Sequence, residues 1–310
     1  MKTGLLRGAR LYYAAIIFVV VVWGLDPVIM SYLYQYFSAS LLTAIGTFVS
    51  FVLLLFLNRK RLHLLSSRYF KIAIPIGLLN SIACLLQKIG LQYTTPANYA
   101  FLEHLACAAV PVSLFILIKK RPTLPQTLSA VLCLFGCFIL CGVGTAGTSS
   151  LSFGDLLCAL AGILLGVCVA LTGVFCKGLD LSLYMVLHMG TYFATSLLSA
   201  VALNFITFGG TPAEPIHFTP NAVILLVTVL FGLVSIGFCW LLKNFATVHL
   251  EPTVVAIISP FSAVIAAAVS VMLGQDALTY NLIIGAALIL AAVLFSDLPS
   301  PVKRKPKEKA

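Results

Sequence analysis

Glu103 and His104 stand side by side in a long apolar stretch of the sequence, residues 97–118. A charged side chain near the middle of a bilayer costs about 2.5–3.5 kcal/mol on insertion scales, so such residues are good functional candidates. On a helix, Tyr99 and Glu103 share a face because they are four residues apart, whereas His104 points about 100° away. We expect Glu103 to face a central cavity. The alternative is a structural carboxyl group that is protonated or paired with a lysine.

Lys88 and His188 are two further ionisable residues inside apolar stretches. Lys88 lies near the end of residues 71–91. It either extends to the membrane surface, as lysines near helix ends commonly do, or pairs with Glu103 or with a substrate carboxylate. His188 lies about one helical turn into residues 184–206. An interfacial histidine and a proton-coupling one both fit this place, because histidine titrates near physiological pH.

The composition identifies the environment of these residues. Of 310 residues, 61% are hydrophobic and 9% are charged, and the mean hydropathy is +1.10. A typical soluble domain is about 45–50% apolar and about 25% charged. The composition therefore excludes a water-soluble enzyme and also a disordered chain, which would lack this much apolar surface. The protein functions in a membrane.

Ten apolar segments can be traced along the chain, joined by short connections that contain Gly, Pro, Ser and Asn. Each is close to the roughly 20 residues that a helix needs to cross a bilayer, and an irregular backbone cannot be satisfied in lipid. We therefore predict an all-α integral membrane protein with ten transmembrane helices, at residues 11–30, 39–57, 71–91, 97–118, 124–144, 153–175, 184–206, 221–242, 252–273 and 280–296.

The charge distribution predicts the orientation of these helices. The net charge is +10, and the chain has 19 Lys and Arg residues. With the N-terminus in the cytoplasm, 18 of these 19 residues fall on the cytoplasmic side, including Lys243 after the eighth segment, and only Lys88 lies toward the outside, within a helix. Both termini are then cytoplasmic, in a multi-pass protein of the cell membrane. The basic tail, residues 297–310, is expected to face lipid headgroups rather than nucleic acid.

The sequence also contains a weak internal duplication. With a shift of 156 residues, Pro96 falls on Pro252 and the helix breaks of the two halves coincide. Five helices per half is an odd number, so the second half must enter the membrane from the opposite side. We therefore predict two inverted five-helix repeats, residues 1–144 and 145–296, an architecture that supports alternating access in many transporters.

Nine cysteines lie inside or at the edges of apolar segments. Cys133, Cys137 and Cys141 recur every four residues and therefore share one helix face. Small side chains in such a row favour close packing of helices. Because metal-type spacing such as CxxC is missing, we expect no metal site and no cofactor.

Local motifs resemble the EamA branch of the drug/metabolite transporter superfamily. They correspond to the family's WG pair, its turn between helices 3 and 4, and its C-terminal ending. Two places depart from the pattern, since Gln275-Asp276 stands where the family often has Glu, and Ile118–Arg121 replaces a Gly-Glu turn. The matching residues are Trp23-Gly24, Leu91–Ala97, Leu273–Asp276 and Ile284–Leu290.

The resemblance implies a secondary transporter with a central site, into which the tryptophans also point. The predicted function is movement of a small organic metabolite, an amino acid or similar, by alternating access, with export as the expected direction. Glu103 and His188 are the candidates for proton coupling. The predicted substrate-binding residues are Glu103, Lys88, Tyr99, Trp23, Trp240 and His104.

Two other classes of protein were weighed against a transporter. An integral-membrane enzyme acting on a lipid substrate would need clustered polar residues at one interface, whereas here they are scattered singly. A seven-helix receptor is disfavoured by the helix count and the duplication. Signatures of nucleotide-driven enzymes, such as GxxxxGKS, are missing from the sequence. We expect no enzymatic activity. The expected partners are a small-molecule substrate and membrane lipids, in a monomer or homodimer.

Overall fold

The computed structural model describes residues 2–91, 93–94, 101–140, 152–208, 211–212, 214–274 and 279–296. Within these residues the chain is almost entirely helical, apart from a two-residue hairpin of β1 (Thr207–Phe208) and β2 (Thr211–Pro212). The helices are α1 (Lys2–Leu33), α2 (Ala39–Asn58), α3 (Ser67–Leu91), α4 (Ala106–Ile118), α5 (Leu124–Leu140), α6 (Phe153–Phe175), α7 (Leu181–Phe205), α8 (Ala222–Phe231), α9 (Cys239–His249), α10 (Pro252–Ile258), α11 (Phe261–Met272) and α12 (Tyr280–Ser296).

Apolar helices fill the described part of the chain. Eight helical stretches there are long and apolar enough to cross a membrane, and two shorter apolar helices, Leu124–Leu140 and Tyr280–Phe295, accompany them. Each of the ten predicted segments overlaps one of these stretches over most of its length. The prediction of an all-α, multi-pass membrane protein is confirmed at this level.

Helices α5 and α12 form an extensive contact between the two halves of the chain. Gly136 and Gly285 let the two backbones approach, since a Cβ atom built on Gly285 would lie 2.7 Å from the Gly136 carbonyl oxygen. Cys133 and Cys137 are buried beside this contact in an apolar cluster with Ile289. Their role there is packing, as predicted, whereas Cys141 lies outside the described residues.

Two of the predicted continuous helices are interrupted. The segment at 252–273 breaks between α10 and α11, because Pro260 has no N–H to bond the Ala256 carbonyl four residues earlier. The freed oxygen of Ala256 accepts a bond from Cys107 Sγ at 2.9 Å. In the first half, a turn at 104–105 separates a helical turn at 101–103 from α4. His104 therefore lies in a break rather than within a continuous helix, and the two breaks are about 155 residues apart.

The stretch Ala222–His249 contains a π-helical segment, Gly232–Phe238, between α8 and α9. Gly232 packs directly on Gly46 of α2, where Ser50 Oγ donates to the Gly232 carbonyl at 2.8 Å. Because the helix continues to His249, the placement of Lys243 in a cytoplasmic loop was wrong. Lys243 lies inside the helical bundle.

Candidate functional site

Three side chains from two helices form the core of the candidate site. The rings of Trp23 on α1 and Trp240 on α9 have their centres 5.7 Å apart, and the Lys243 Nζ lies 4.8 Å from each centre. A cation over an aromatic ring gains about 2 kcal/mol or more where water is excluded. The structure thus brings the two predicted tryptophans together around Lys243, a residue outside the predicted site.

The π-helical segment fixes the position of Trp23. Trp23 Nε1 donates to the backbone oxygen of Ser235 at 3.1 Å, and the Ser235 hydroxyl donates to an oxygen of Asp26. The second Asp26 oxygen is buried and has no hydrogen-bond partner in the described part of the chain. Such π-helical turns are frequent at functional sites. Here the turn links α1 to the helix that carries Lys243.

Aromatic residues of α7 extend the site beyond Trp240. The His188 ring lies 5.9 Å and the Tyr192 ring 6.3 Å from the Trp240 ring, measured between centres. His188 is only 2% exposed, and its Nδ1 bonds the Tyr184 hydroxyl at 3.2 Å. Its Nε2 has no partner among the described residues. His188 therefore packs inside the helical bundle, and its role in proton coupling stays a prediction.

Helix α3 closes the site opposite the aromatic residues. The Tyr192 hydroxyl donates to Cys84 Sγ at 3.1 Å, and that thiol lies in the electrostatic fields of Lys88, Glu103 and Lys243. Asn80 lies one helical turn before Cys84 on the same side of α3 and is 0% exposed. Neither its amide oxygen nor its nitrogen has a partner in the described residues.

Glu103 ends the helical turn at 101–103, directly before the break that precedes α4. Its carboxylate acts electrostatically on Lys243, although it lies beyond ion-pair distance. Gly162 of α6 packs against the backbone of Leu102 and Glu103, since a Cβ there would lie 2.2 Å from the Leu102 carbonyl oxygen. This close contact restricts where the backbone of Glu103 lies along α6.

Lys88 and His104 are placed differently from the expectations. Lys88 Nζ donates to Thr43 Oγ1 on α2 at 2.9 Å, and the nearby carboxylate in its field is Glu214 rather than Glu103. His104 lies within electrostatic range of Cys133, a member of the cysteine cluster. Tyr99 lies outside the described residues.

Two cavities open at the end of the bundle where α9 ends. A groove of about 480 Å³ runs along residues 179–182 and 241–249, and its lining includes Leu242, the neighbour of Lys243. A second cavity of about 250 Å³ lies beside the Lys120–Glu251 ion pair, whose atoms are 2.9 Å apart. In the described residues, no cluster of His, Cys, Asp or Glu could hold a metal ion.

The sequence did carry a signal for Lys243. Between Leu242 and Leu250 it has no Gly or Pro, the residues that usually mark a turn, and the only charge in that interval is Lys243 itself. A cation in an uninterrupted helix that continues for another six residues is a candidate for a buried site.

The fold and the site together define a multi-pass membrane protein with an internal, mixed-charge aromatic site. Residues 10–142 match the model of the EamA-like transporter family. The predicted resemblance to EamA, a family of the drug/metabolite transporter superfamily, is thereby confirmed over residues 10–142.

Two further likenesses extend over more of the chain. An "Uncharacterized transporter" from Archaeoglobus fulgidus is 24% identical over 229 residues, which cover 74% of this chain and 69% of that protein. A solved structure titled "Crystal structure of protein" superposes with a TM-score of 0.73 at 16% identity, over 92% of this chain and 96% of that one. This second likeness shows the fold alone.

Proposed function

We propose that the protein is a secondary transporter that moves a small organic metabolite, an amino acid or similar, across the cell membrane by alternating access. The observation that carries this proposal is Lys243, whose charge is held between Trp23 and Trp240 inside the helical bundle. A charge in that place is costly unless a solute or a partner uses it. Export is the proposed direction, with no chemical conversion of the solute.

The helix contacts support ten spans arranged as two inverted repeats. If the two halves are related as inverted repeats, each contact between helices of different halves has a matching contact with the positions swapped. For example, a contact of the first helix of the first half with the fourth helix of the second half is matched by a contact of the fourth helix of the first half with the first helix of the second half. The contacts come in such pairs: α1–α11 with α4–α6, α1–α9 with α3–α6, and α3–α7 with α2 against the π-helical segment. The contacts α5–α12 and α2–α7 are their own counterparts. The interrupted helices at 104–105 and 259–260 follow the same relation.

Polar contacts tie the bundle at the end that we propose is extracellular. Glu214, in the connection after α7, accepts from the backbone N–H of Ser40 at 2.8 Å and thereby caps α2. The same connection bonds the α1–α2 turn through Ser38 N to His217 O at 3.3 Å. Alternating access requires these contacts to open when the site faces outward.

The opposite end, proposed to be cytoplasmic, is tied between α2 and α7. Asn58 and Ser182 exchange side-chain hydrogen bonds at 2.7 and 3.0 Å, and Arg61 pairs with Asp180. Contacts at both ends fit a chamber that is closed toward each side of the membrane. Glu103 and His188 remain the proposed proton-coupling groups, because both lie beside the Lys243–Trp240 cluster.

The alternative, an enzyme acting on a lipid, would place its polar groups together at one membrane surface. The described polar groups converge instead around Trp240, from α1, α3, α7 and α9. This arrangement favours passage of a solute over interfacial chemistry.

Flux through reconstituted protein tests the proposal. Purified protein in liposomes is loaded with a panel of amino acids and other small metabolites, and exchange of the labelled solute is followed. We expect at least one solute to exchange unchanged, and Trp240→Ala to abolish the exchange. Leu198→Ala, at a lipid-facing position that is 68% exposed, serves as the control. Absence of flux for every solute with folded protein would overturn the proposal.

A further inference from the structure

Among the described residues, the Lys243 ammonium has no partner that neutralises it. The rings of Trp23 and Trp240 lie on it at 4.8 Å each. Ring faces attract a cation but leave its three N–H donors without the oxygen lone pairs that they normally bind. In the described residues, Nζ has no carboxylate within ion-pair distance. The positive charge is held in place while it stays available to a ligand.

Two neutral polar groups near this cluster also have atoms without partners in the described part of the chain. His188 Nε2 is one such buried atom, and the His188 ring lies 5.9 Å from the Trp240 ring. Asn80 is fully buried, neither of its amide atoms has a partner among the described residues, and it lies one turn from the Cys84 thiol that Tyr192 contacts. Buried polar atoms are nearly always bonded, so unpartnered ones that converge on one cluster indicate a place for a ligand.

We propose, resting on the transporter function proposed above, that Lys243 binds the carboxylate of the transported solute, so that the substrates are small carboxylic acids, zwitterionic amino acids included. An ammonium removed from water gains most from a full negative charge. The two indole rings restrict the position of Nζ, which lowers the cost of ordering it when the solute arrives.

The charges around Lys243 favour a monoanion over a phosphate. Glu103 contributes a negative field to the same region, and the ammonium of Lys88 is already bonded to the Thr43 hydroxyl of α2. One cation beside one carboxylate matches a single negative charge better than the nearly two charges of a phosphate ester. Glu103 also offers a partner for the ammonium group of an amino acid.

A structural role for Lys243 makes a different prediction. If Lys243 only balanced Glu103, its loss would weaken every solute to the same degree. If Lys243 binds the carboxylate, its loss removes the difference between an acid and its amide. Selectivity between acid and amide therefore separates the two roles, independently of the absolute rate.

Tryptophan fluorescence provides a direct readout, because the chain has two tryptophans and both contact Lys243. Detergent-purified protein is titrated with the twenty amino acids, lactate, their amides and inorganic phosphate. We expect one or more acids to change the emission, with the matching amide at least tenfold weaker. Lys243→Met should abolish the response, and Lys243→Arg should retain it within tenfold. Lys177→Met, an exposed lysine beyond α6, is the matched control and should behave as the parent protein.

Several results would overturn the carboxylate assignment. They are an amide response equal to that of its acid, a response to phosphate alone, an unchanged acid response in Lys243→Met, or no response to any acid. If Lys243→Met does not fold, the comparison of acid and amide in the parent protein and in Lys243→Arg decides the question. Flux of neutral or cationic solutes without flux of acids would reject this inference and leave the transporter function intact.

Discussion

Lys88 donates from α3 to the Thr43 hydroxyl of α2, with 2.9 Å between nitrogen and oxygen. The same Thr43 hydroxyl in turn donates a hydrogen bond to the Ala39 carbonyl at 2.8 Å. The ammonium of Lys88 therefore bonds near the N-terminus of α2. The carboxylate of Glu214, which caps the same helix, lies close enough to act on it electrostatically. Of the two lysines in the bundle, Lys88 serves the closure of one end and Lys243 faces the site.

The first prediction concerns this bond. Lys88→Met and Thr43→Val should each destabilise the protein by about 1.5–3 kcal/mol, because a hydrogen bond to a charged group is lost in a buried place. Their coupling in a double-mutant cycle of unfolding in sodium dodecyl sulfate should exceed about 0.5 kcal/mol. Thr191→Val is the control, since the Thr191 hydroxyl bonds only the Leu187 carbonyl of its own helix. Strict additivity of Lys88 and Thr43 would show that the lysine acts elsewhere.

The second prediction concerns Glu103. Glu103→Gln keeps the shape of the side chain but removes its charge and its titration, so transport at neutral pH should fall at least tenfold and its dependence on pH should flatten. The measurement is initial flux in liposomes between pH 5 and 8. Glu251→Gln, which disrupts an ion pair at the helix end, is the control and should have little effect. Full activity with an unchanged pH profile would make Glu103 a structural residue.

The third prediction concerns the contact of α5 with α12. Gly285→Ala would place a Cβ atom 2.6 Å from the Leu140 nitrogen and 2.7 Å from the Gly136 oxygen, both backbone atoms that cannot rotate away. We expect a loss of about 1–3 kcal/mol in stability, as overpacking commonly causes. Gly190→Ala meets only the ring of Phe51, at 3.0 Å or more, and should cost less. Equal thermal midpoints for the two variants would contradict this account.

The fourth prediction concerns the orientation in the membrane. Ile216→Cys lies in the connection after α7, and Lys177→Cys lies between α6 and α7, both at exposed positions. A membrane-impermeant thiol reagent applied to intact cells should label position 216 and not position 177. The native cysteines in the described residues are buried or partly buried, which keeps the background low. Labelling of position 216 only after permeabilisation would reverse the map.

The helices and the aromatic part of the site follow from the sequence because apolar length and residue type encode them locally. Trp23, Trp240, Glu103 and His188 stood out as polar or aromatic residues in apolar segments, and the structure brings all four to one region. The place of Lys243 depends instead on where a helix ends, and helix ends are weakly encoded when Gly and Pro are missing.

Partners across helices were the least predictable part of the site. Whether Lys88 meets Glu103 or Thr43 is decided by packing between α2 and α3, for which the spacing along the chain carries no signal. The same holds for His104, which the break at 104–105 turns toward Cys133.

Because of the π-helical segment, one continuous helix exposes side chains to lipid before the segment and directs side chains into the bundle after it. A turn with bonds from residue i to i+5 holds one residue more than an α-helical turn, so everything after it is rotated by about 100° relative to what comes before. Val223 and Leu226 of α8 are exposed on the lipid side, while Trp240 and Lys243 of α9 point inward. Deleting a single residue between 232 and 238 would swing the indole and the ammonium together toward the hydrocarbon, without altering either side chain.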